Sequence, residues 1–273
     1  MYADYWQLDA KPFEPACDDA TYWPAESHEG ALLKLRYALD QRRAAAAIAG
    51  PSGVGKSMLV DRVISDLGEG FSPVARVVFP QMSPRDLLAH IADKLGAPPA
   101  DAPRHSTDES IARIDQLLGK NTGAGKHALL VIDEAHLLED CGLLETIRLL
   151  LNLADKPRPR MTVLLVGQMG LLSAVGRSQS LEERLSVKTL LRSFVEDETL
   201  EYIEHRLAAA GASREIFTQA ALAAIHQLTH GVPRQIDRLC DLALVVGFAE
   251  QLTAIDEKQV RSVSRELLAL STD

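Results

Sequence analysis

The chain has 273 residues, 47% of them hydrophobic and 25% charged, with a formal net charge of −9, a composition that can bury the core of a large domain together with a smaller companion. The acidity excludes a broad cationic surface for tight, non-specific duplex binding and leaves only a local basic patch open. Three cysteines, Cys17, Cys141 and Cys240, are odd in number and widely separated, which excludes a full disulfide framework, gives no metal-ligand spacing and points to a reducing compartment.

The start, "MYADYWQLDA", has no basic segment followed by an apolar one, so it does not read as a signal peptide. No stretch approaches the roughly 20 apolar residues that cross a bilayer, and the expected location is the cytoplasm. Residues 1–26 combine aromatics with turn formers and read as an irregular lead-in packed on the rest. "SHEGALLKLRYALDQRR" (27–43) reads as a surface helix capped by Ser27, with Leu32, Leu35 and Leu39 on one face.

Short apolar runs then alternate with amphipathic stretches. Strands are expected at "AAAAIAG" (44–50), "ARVVFP" (75–80), "HALLVIDE" (127–134), "MTVLLVG" (161–167) and "LSVKTLL" (185–191), with helices near 56–67, 84–95, 107–118, 142–154 and 170–176. This β-α alternation implies a three-layer α/β sandwich around a five-stranded parallel sheet. The alanine run is helix-prone; it is assigned as strand because a glycine-rich turn and a new helix follow. "LGAPPADAPRHSTDES" (95–110) reads as a surface loop. Beyond Val195 only helical periodicity remains, so the chain divides into an α/β domain over 1–195, lead-in included, and a helical lid domain over 196–273.

The glycine-rich turn is "GPSGVGKS", Gly50, Pro51, Ser52, Gly53, Val54, Gly55, Lys56 and Ser57, followed by Met58. Its spacing, between a strand and a helix, is that of a P-loop. Backbone N–H groups converge on a phosphate, the helix N-terminus faces it, the lysine reaches the β- and γ-phosphates, and the hydroxyl holds Mg²⁺. "GKNTGAGKH" (119–127) lacks the first glycine and the hydroxyl and runs into a strand, so it reads as a turn. At the end of a buried strand stand Asp133 and Glu134. Asp133 would contact Mg²⁺ through water and Ser57, and Glu134 would polarise the water that attacks the γ-phosphate; the alternative is a plain acidic pair at a strand end. His136 is a structural or γ-phosphate-sensing candidate, with no second histidine at metal spacing. The neighbouring "DEAH" does not make a helicase, because no second domain of the required kind follows.

With these motifs the chain resembles an AAA+ ATPase, and within that superfamily the ATPase domain of the general secretion pathway protein A (ExeA/GspA) group. "YWQLDAKPF", "SHEGALLKLRYAL", "VIDEAHLL", "LETIRLLLNLADKPRPRMTVLLVGQ", "EYIEHRLAAAG" and "GVPRQIDRLCDLAL" carry the likeness over nearly the whole length. The resemblance implies ATP and Mg²⁺ as cofactors, Gln168 as sensor 1, Arg234 as sensor 2, and Arg184, with Arg177 as runner-up, as an arginine finger offered to a neighbouring subunit. The family pattern Gly-Gln-Pro-Glu after the fourth strand is here "GQMG". The implied function is ATP hydrolysis that drives or times assembly of a protein complex in secretion or the cell envelope, by a nucleotide-dependent homo-oligomer with a protein partner. Nucleic acid is not the favoured partner. The alternatives are a DNA-associated regulator of transposition of the TniB and MuB kind, or a nucleotide-switched scaffold with little turnover. Phe13, Tyr22 and His28 are candidates to line a base pocket.

Overall fold

In the computed structural model, which describes residues 2–14, 22–78, 80–99, 106–155 and 158–269, the apolar runs become five strands of one parallel sheet. They are β1 (Ala45–Ala49), β2 (Phe71–Val77), β3 (His127–Ile132), β4 (Met161–Gly167) and β5 (Leu185–Leu190), in the spatial order β2-β3-β4-β1-β5. β1, β3 and β4 are buried along their whole length, which is why they read as unbroken apolar runs rather than alternating ones. In β1 this burial between two neighbouring strands overrides the helical preference of alanine, a preference of well under about 1 kcal/mol per residue.

Register explains the packing. Ala75, Leu130, Val163, Ala45 and Leu185 fall in one row across the sheet, and Val77, Ile132, Leu165 and Ala47 in a second. Both rows join one core with Leu87, Leu88 and Ile91 of the helix Pro84–Lys94, Ile114 and Leu118 of Thr107–Gly123, and Ile147, Leu150 and Leu151 of Leu144–Ala154. Each such side chain contributes roughly 1.5–3 kcal/mol when fully buried. The alternate residues, including Ile48, Leu129, Val131 and Val166, are equally buried on the other face.

The chain divides into two compact units: Ser27–Ser52 with Lys56–Leu191, and Met1–Glu26 with Gly53–Gly55 and Arg192–Asp273. The lead-in therefore groups with the C-terminal helices, not with the sheet. The second unit contains helices Glu196–Ala209, Gln219–Thr229, Pro233–Ala249 and Glu257–Ala269. The lead-in itself is not wholly irregular, since Tyr2–Trp6 is a short helix. Trp6 is fully buried and its Nε1–H donates to Leu244 O at 3.0 Å. Gly247 makes room for it: a Cβ there would lie 2.7 Å from the Trp6 ring. Arg206 donates to Pro12 O (2.6 Å), Glu14 O (2.8 Å) and Tyr202 Oη (2.8 Å), and Tyr202 donates to Asp237 Oδ1 at 2.7 Å. Burial raises the Asp237 carboxyl to about 6 despite the Tyr202 bond and the Arg206 charge.

Two local expectations are corrected. The helix after the lead-in begins at Glu26, so Ser27 lies inside its first turn instead of capping it. β2 runs from Phe71 to Val77, earlier than 75–80; Pro73 lies within it, which an edge strand tolerates, and the pairing register shifts between Phe71 and Val74. Cys17 and part of the 95–110 loop lie outside the described residues. Cys141 is exposed, Cys240 is buried, and both are free. Among the described residues no helix is long and apolar enough to cross a membrane.

His127, the first residue of β3, is buried and its Nε2 lies 2.9 Å from Thr162 Oγ1. Burial, with a smaller push from the Arg42 charge, lowers its pKa from 6.5 to about 4. A histidine whose folded pKa lies below the unfolded one contributes stability that is complete above the unfolded value and is lost as pH falls toward the folded value. Between pH 6.5 and pH 4 this loss reaches about 3 kcal/mol. Urea titrations at both pH values are expected to give that difference between the unsubstituted chain and His127→Gln, a comparison in which the opposite contribution of Asp237 cancels.

Candidate functional site

β4 separates β1 from β3 in the sheet, and both neighbouring chain segments attach to its C-terminal end. Gly50 N–H donates to Gly167 O at 3.3 Å, and Ala135 N–H donates to Val166 O at 2.8 Å. The loop after β1 and the acidic pair after β3 thus meet across the end of one intervening strand. Gly167 is required there for close approach. A Cβ on it would stand 3.0 Å from His136 N and 3.1 Å from Leu171 Cδ2.

The 50–57 loop turns through two left-handed glycines, Gly53 (φ 81°) and Gly55 (φ 97°), before the helix Lys56–Ser65 begins. Val54 is buried, Ser52 is exposed, and Met58 is half-buried on the helix. Lys56 Nζ donates to Gly50 O at 2.9 Å and Pro51 O at 2.8 Å. Its charge is therefore held by the carbonyls of its own loop. Within the C-terminal unit, which includes Gly53–Gly55, Arg234 N–H donates to Gly53 O at 3.2 Å, and the Arg234 side chain is exposed.

Opposite the loop, Ser57 Oγ lies 3.4 Å from Asp133 Oδ2. Asp133 is anchored by its N–H to Val77 O at 2.8 Å, and its Oδ1 accepts the Glu134 N–H at 3.0 Å. Its side chain is only 12% exposed, whereas that of Glu134 is 49% exposed. Glu134 adopts φ 49°. A left-handed conformation at a non-glycine residue costs of order 1 kcal/mol and persists where the surroundings enforce it. His136 Nδ1 lies 3.4 Å from Glu134 Oε2 and 3.4 Å from Gln168 N, so one ring nitrogen faces both the acidic pair and the loop after β4. The Gln168 side chain is exposed at that strand end.

Of the residues expected from sequence, the sheet unit brings together Lys56, Ser57, Asp133, Glu134, His136 and Gln168. It does not bring Arg184 to them. Arg184 immediately precedes β5, at the N-terminal edge of a parallel sheet whose C-terminal edge bears the loop, and donates to Asp155 Oδ2 at 3.0 Å. Arg177 Nε donates to Glu139 Oε1 at 2.8 Å. Phe13 is buried in the C-terminal core beneath the Arg206 guanidinium, 5.9 Å from its ring centre, and His28 is buried on the helix Glu26–Asp40. Two residues escaped the sequence reading. Gly167 could have been found as the glycine closing an apolar run; Arg76, whose Nη2 donates to Asp133 Oδ2 at 2.8 Å, is marked only as a charge inside an apolar strand.

A family model described as an AAA domain matches residues 39–175. The chain belongs to this family. It is 32% identical over 257 residues to General secretion pathway protein A of Aeromonas hydrophila, a match that covers 91% of this chain and 45% of that protein. It thus spans less than half the length of that relative. Among solved structures it is similar to the Aeropyrum pernix ORC2 protein in its ADPNP-ADP complexes, with TM-score 0.71, 17% identity, and coverage of 94% of this chain and 71% of the other. It is also similar to Cdc6p from Pyrobaculum aerophilum, with TM-score 0.68, 16% identity, and coverage of 91% and 71%. These likenesses place the fold, a parallel five-stranded α/β sheet followed by helices, among AAA+ ATPase structures.

The packing at Gly167 gives a direct expectation. Gly167→Ala should lower the urea midpoint by the equivalent of about 1–3 kcal/mol, the usual cost of an extra methyl group in a filled space, since its neighbours include backbone that cannot swing away.

Proposed function

We propose that this chain is an ATPase that binds Mg-ATP on the 50–57 loop, hydrolyses it, and couples turnover to the assembly of a protein complex in secretion or the cell envelope. The observation that carries the reading is the opposition of Ser57 Oγ and Asp133 Oδ2 at 3.4 Å across the end of β4. The donor set suits a small, hard cation, one hydroxyl and one carboxylate oxygen. Mg²⁺ keeps several waters and shares its coordination with phosphates, so one or two protein oxygens suffice to hold it. Bound there with ATP, Mg²⁺ would neutralise charge on the terminal phosphates.

The chain's own groups then have separate tasks. The N–H groups of residues 53–57 and the positive end of the helix Lys56–Ser65 hold the polyphosphate. Lys56 exchanges the Gly50 and Pro51 carbonyls for phosphate oxygens. Glu134, exposed and held in a left-handed backbone beside the buried Asp133, orients the attacking water and accepts its proton. Gln168 and His136 border the same space, and Arg234 is the candidate sensor from the helical unit. Arg184, on the far edge of the sheet, is suited to a nucleotide held by a second copy, so full turnover requires a homo-oligomer. The protein-assembly role is supported by the similarity to General secretion pathway protein A, and the net charge of −9 weighs against nucleic acid as the main partner.

In calorimetry with ADP or ATP, Lys56→Ala should weaken binding at least about 100-fold, and unchanged affinity would remove the loop from the function. Glu134→Gln should bind within a few-fold of the unsubstituted chain while phosphate release falls at least about 100-fold; persistence of turnover would exclude Glu134 as the base. Phosphate release per chain should rise with protein concentration, and Arg184→Ala should flatten that rise whereas Arg177→Ala should not.

A further inference from the structure

The carboxylate expected to face the metal already has a cation. Arg76 lies on the edge strand β2, in register with Val131 of β3. Its Nη2 donates to Asp133 Oδ2 at 2.8 Å, the same oxygen that faces Ser57 Oγ. Its Nη1 donates at 2.6 Å to Asp61 Oδ1, on the helix that begins at Lys56. The third nitrogen, Nε, is buried and has no hydrogen-bond partner among the described residues. The guanidinium therefore spans the phosphate-loop helix and the acidic pair, and its side chain is 29% exposed.

An ionised carboxylate as buried as Asp133 is costly unless paired. Arg76 supplies that pairing without any metal. A divalent ion entering beside Ser57 would meet a fixed positive charge and would have to share Asp133 with it. A polyphosphate entering without a metal would meet a carboxylate already neutralised. Arg76 acts through Asp133, so it is a positioning residue and not a catalytic one.

We propose that Arg76 is a built-in counter-cation of the metal site, which allows a nucleoside polyphosphate to bind without Mg²⁺ and makes loading of Mg²⁺ weaker than in the same site without the arginine. This rests on the nucleotide-binding reading above and deepens it. The charge balance at the site is set by the chain before any ion arrives.

The test is the affinity for ADP, which is not turned over, measured by calorimetry once in EDTA and once in Mg²⁺. The readout is the ratio of the two dissociation constants. In Arg76→Gln this ratio should rise at least about tenfold, because Asp133 then repels a metal-free phosphate chain. Arg76→Lys, which keeps the charge and loses the fork, should return it to within about threefold of the unsubstituted chain. An unchanged ratio in Arg76→Gln, or a lysine variant that behaves like the glutamine one, overturns the proposal. If Arg76→Gln does not fold, Asp61→Asn decides. Removal of that half-exposed negative charge should lower the ratio, and no change overturns the proposal. Failure of the unsubstituted chain to bind ADP in Mg²⁺ would overturn the nucleotide-binding reading and this one with it, whereas normal binding with insensitive ratios defeats only the role of Arg76.

Discussion

The site depends on the last two residues of β4. Carbonyls at Val166 and Gly167 receive the N–H groups of Ala135 and Gly50, so the two chain segments that carry charge hang from one buried strand. Parallel strands lie about 4.8 Å apart, and β3 and β1 are two such steps from each other. Without an anchor between them the loop and the acidic pair would be positioned by their own flexible backbones. The strand end converts sheet geometry into side-chain geometry, and the missing Cβ at Gly167 leaves the space in which His136 can approach.

Charge at this strand end is largely paired within the chain. Lys56 is satisfied by two carbonyls, Asp133 by Arg76 and by the Glu134 amide, and Arg76 in turn by Asp61. Glu134 differs: its side chain is exposed, its backbone is left-handed, and its carboxylate lies 3.4 Å from His136 Nδ1. Buried partners fix position, and the exposed carboxylate keeps its freedom to meet solvent. The role proposed for Glu134, meeting a water molecule, fits that second class.

Much of this architecture was legible because its signals are local. β4 was placed at its observed limits since an apolar run of strand length ends at a glycine, and β3 was recognised because nothing but full burial explains "HALLVI" followed by two carboxylates. β1 needed its flanking turn as well as its own residues. β2 begins earlier than its apolar run suggests and contains Pro73, which only a position at the sheet edge makes admissible. Ser27 has the identity of a cap but not the place, one residue inside the helix. Arg76 could not be read at all. Its role comes from a pairing with a residue 57 positions away, and no periodicity encodes such a distance. The same holds for Arg206, whose partners Pro12 and Glu14 precede it by more than 190 positions.

The arginine at 206 and the tryptophan at 6 bear on how the molecule can be made. Trp6 is held by Leu244 O and fits against Gly247, and the backbone of residues 12–14 is tied to a guanidinium in the last turn of the first C-terminal helix. During synthesis, residues 2–14 emerge well before the helices that receive them, because most of the sheet unit is made in between. The helical unit is discontinuous in the gene, and an expression fragment that starts at 192 would lack the indole that fills its centre.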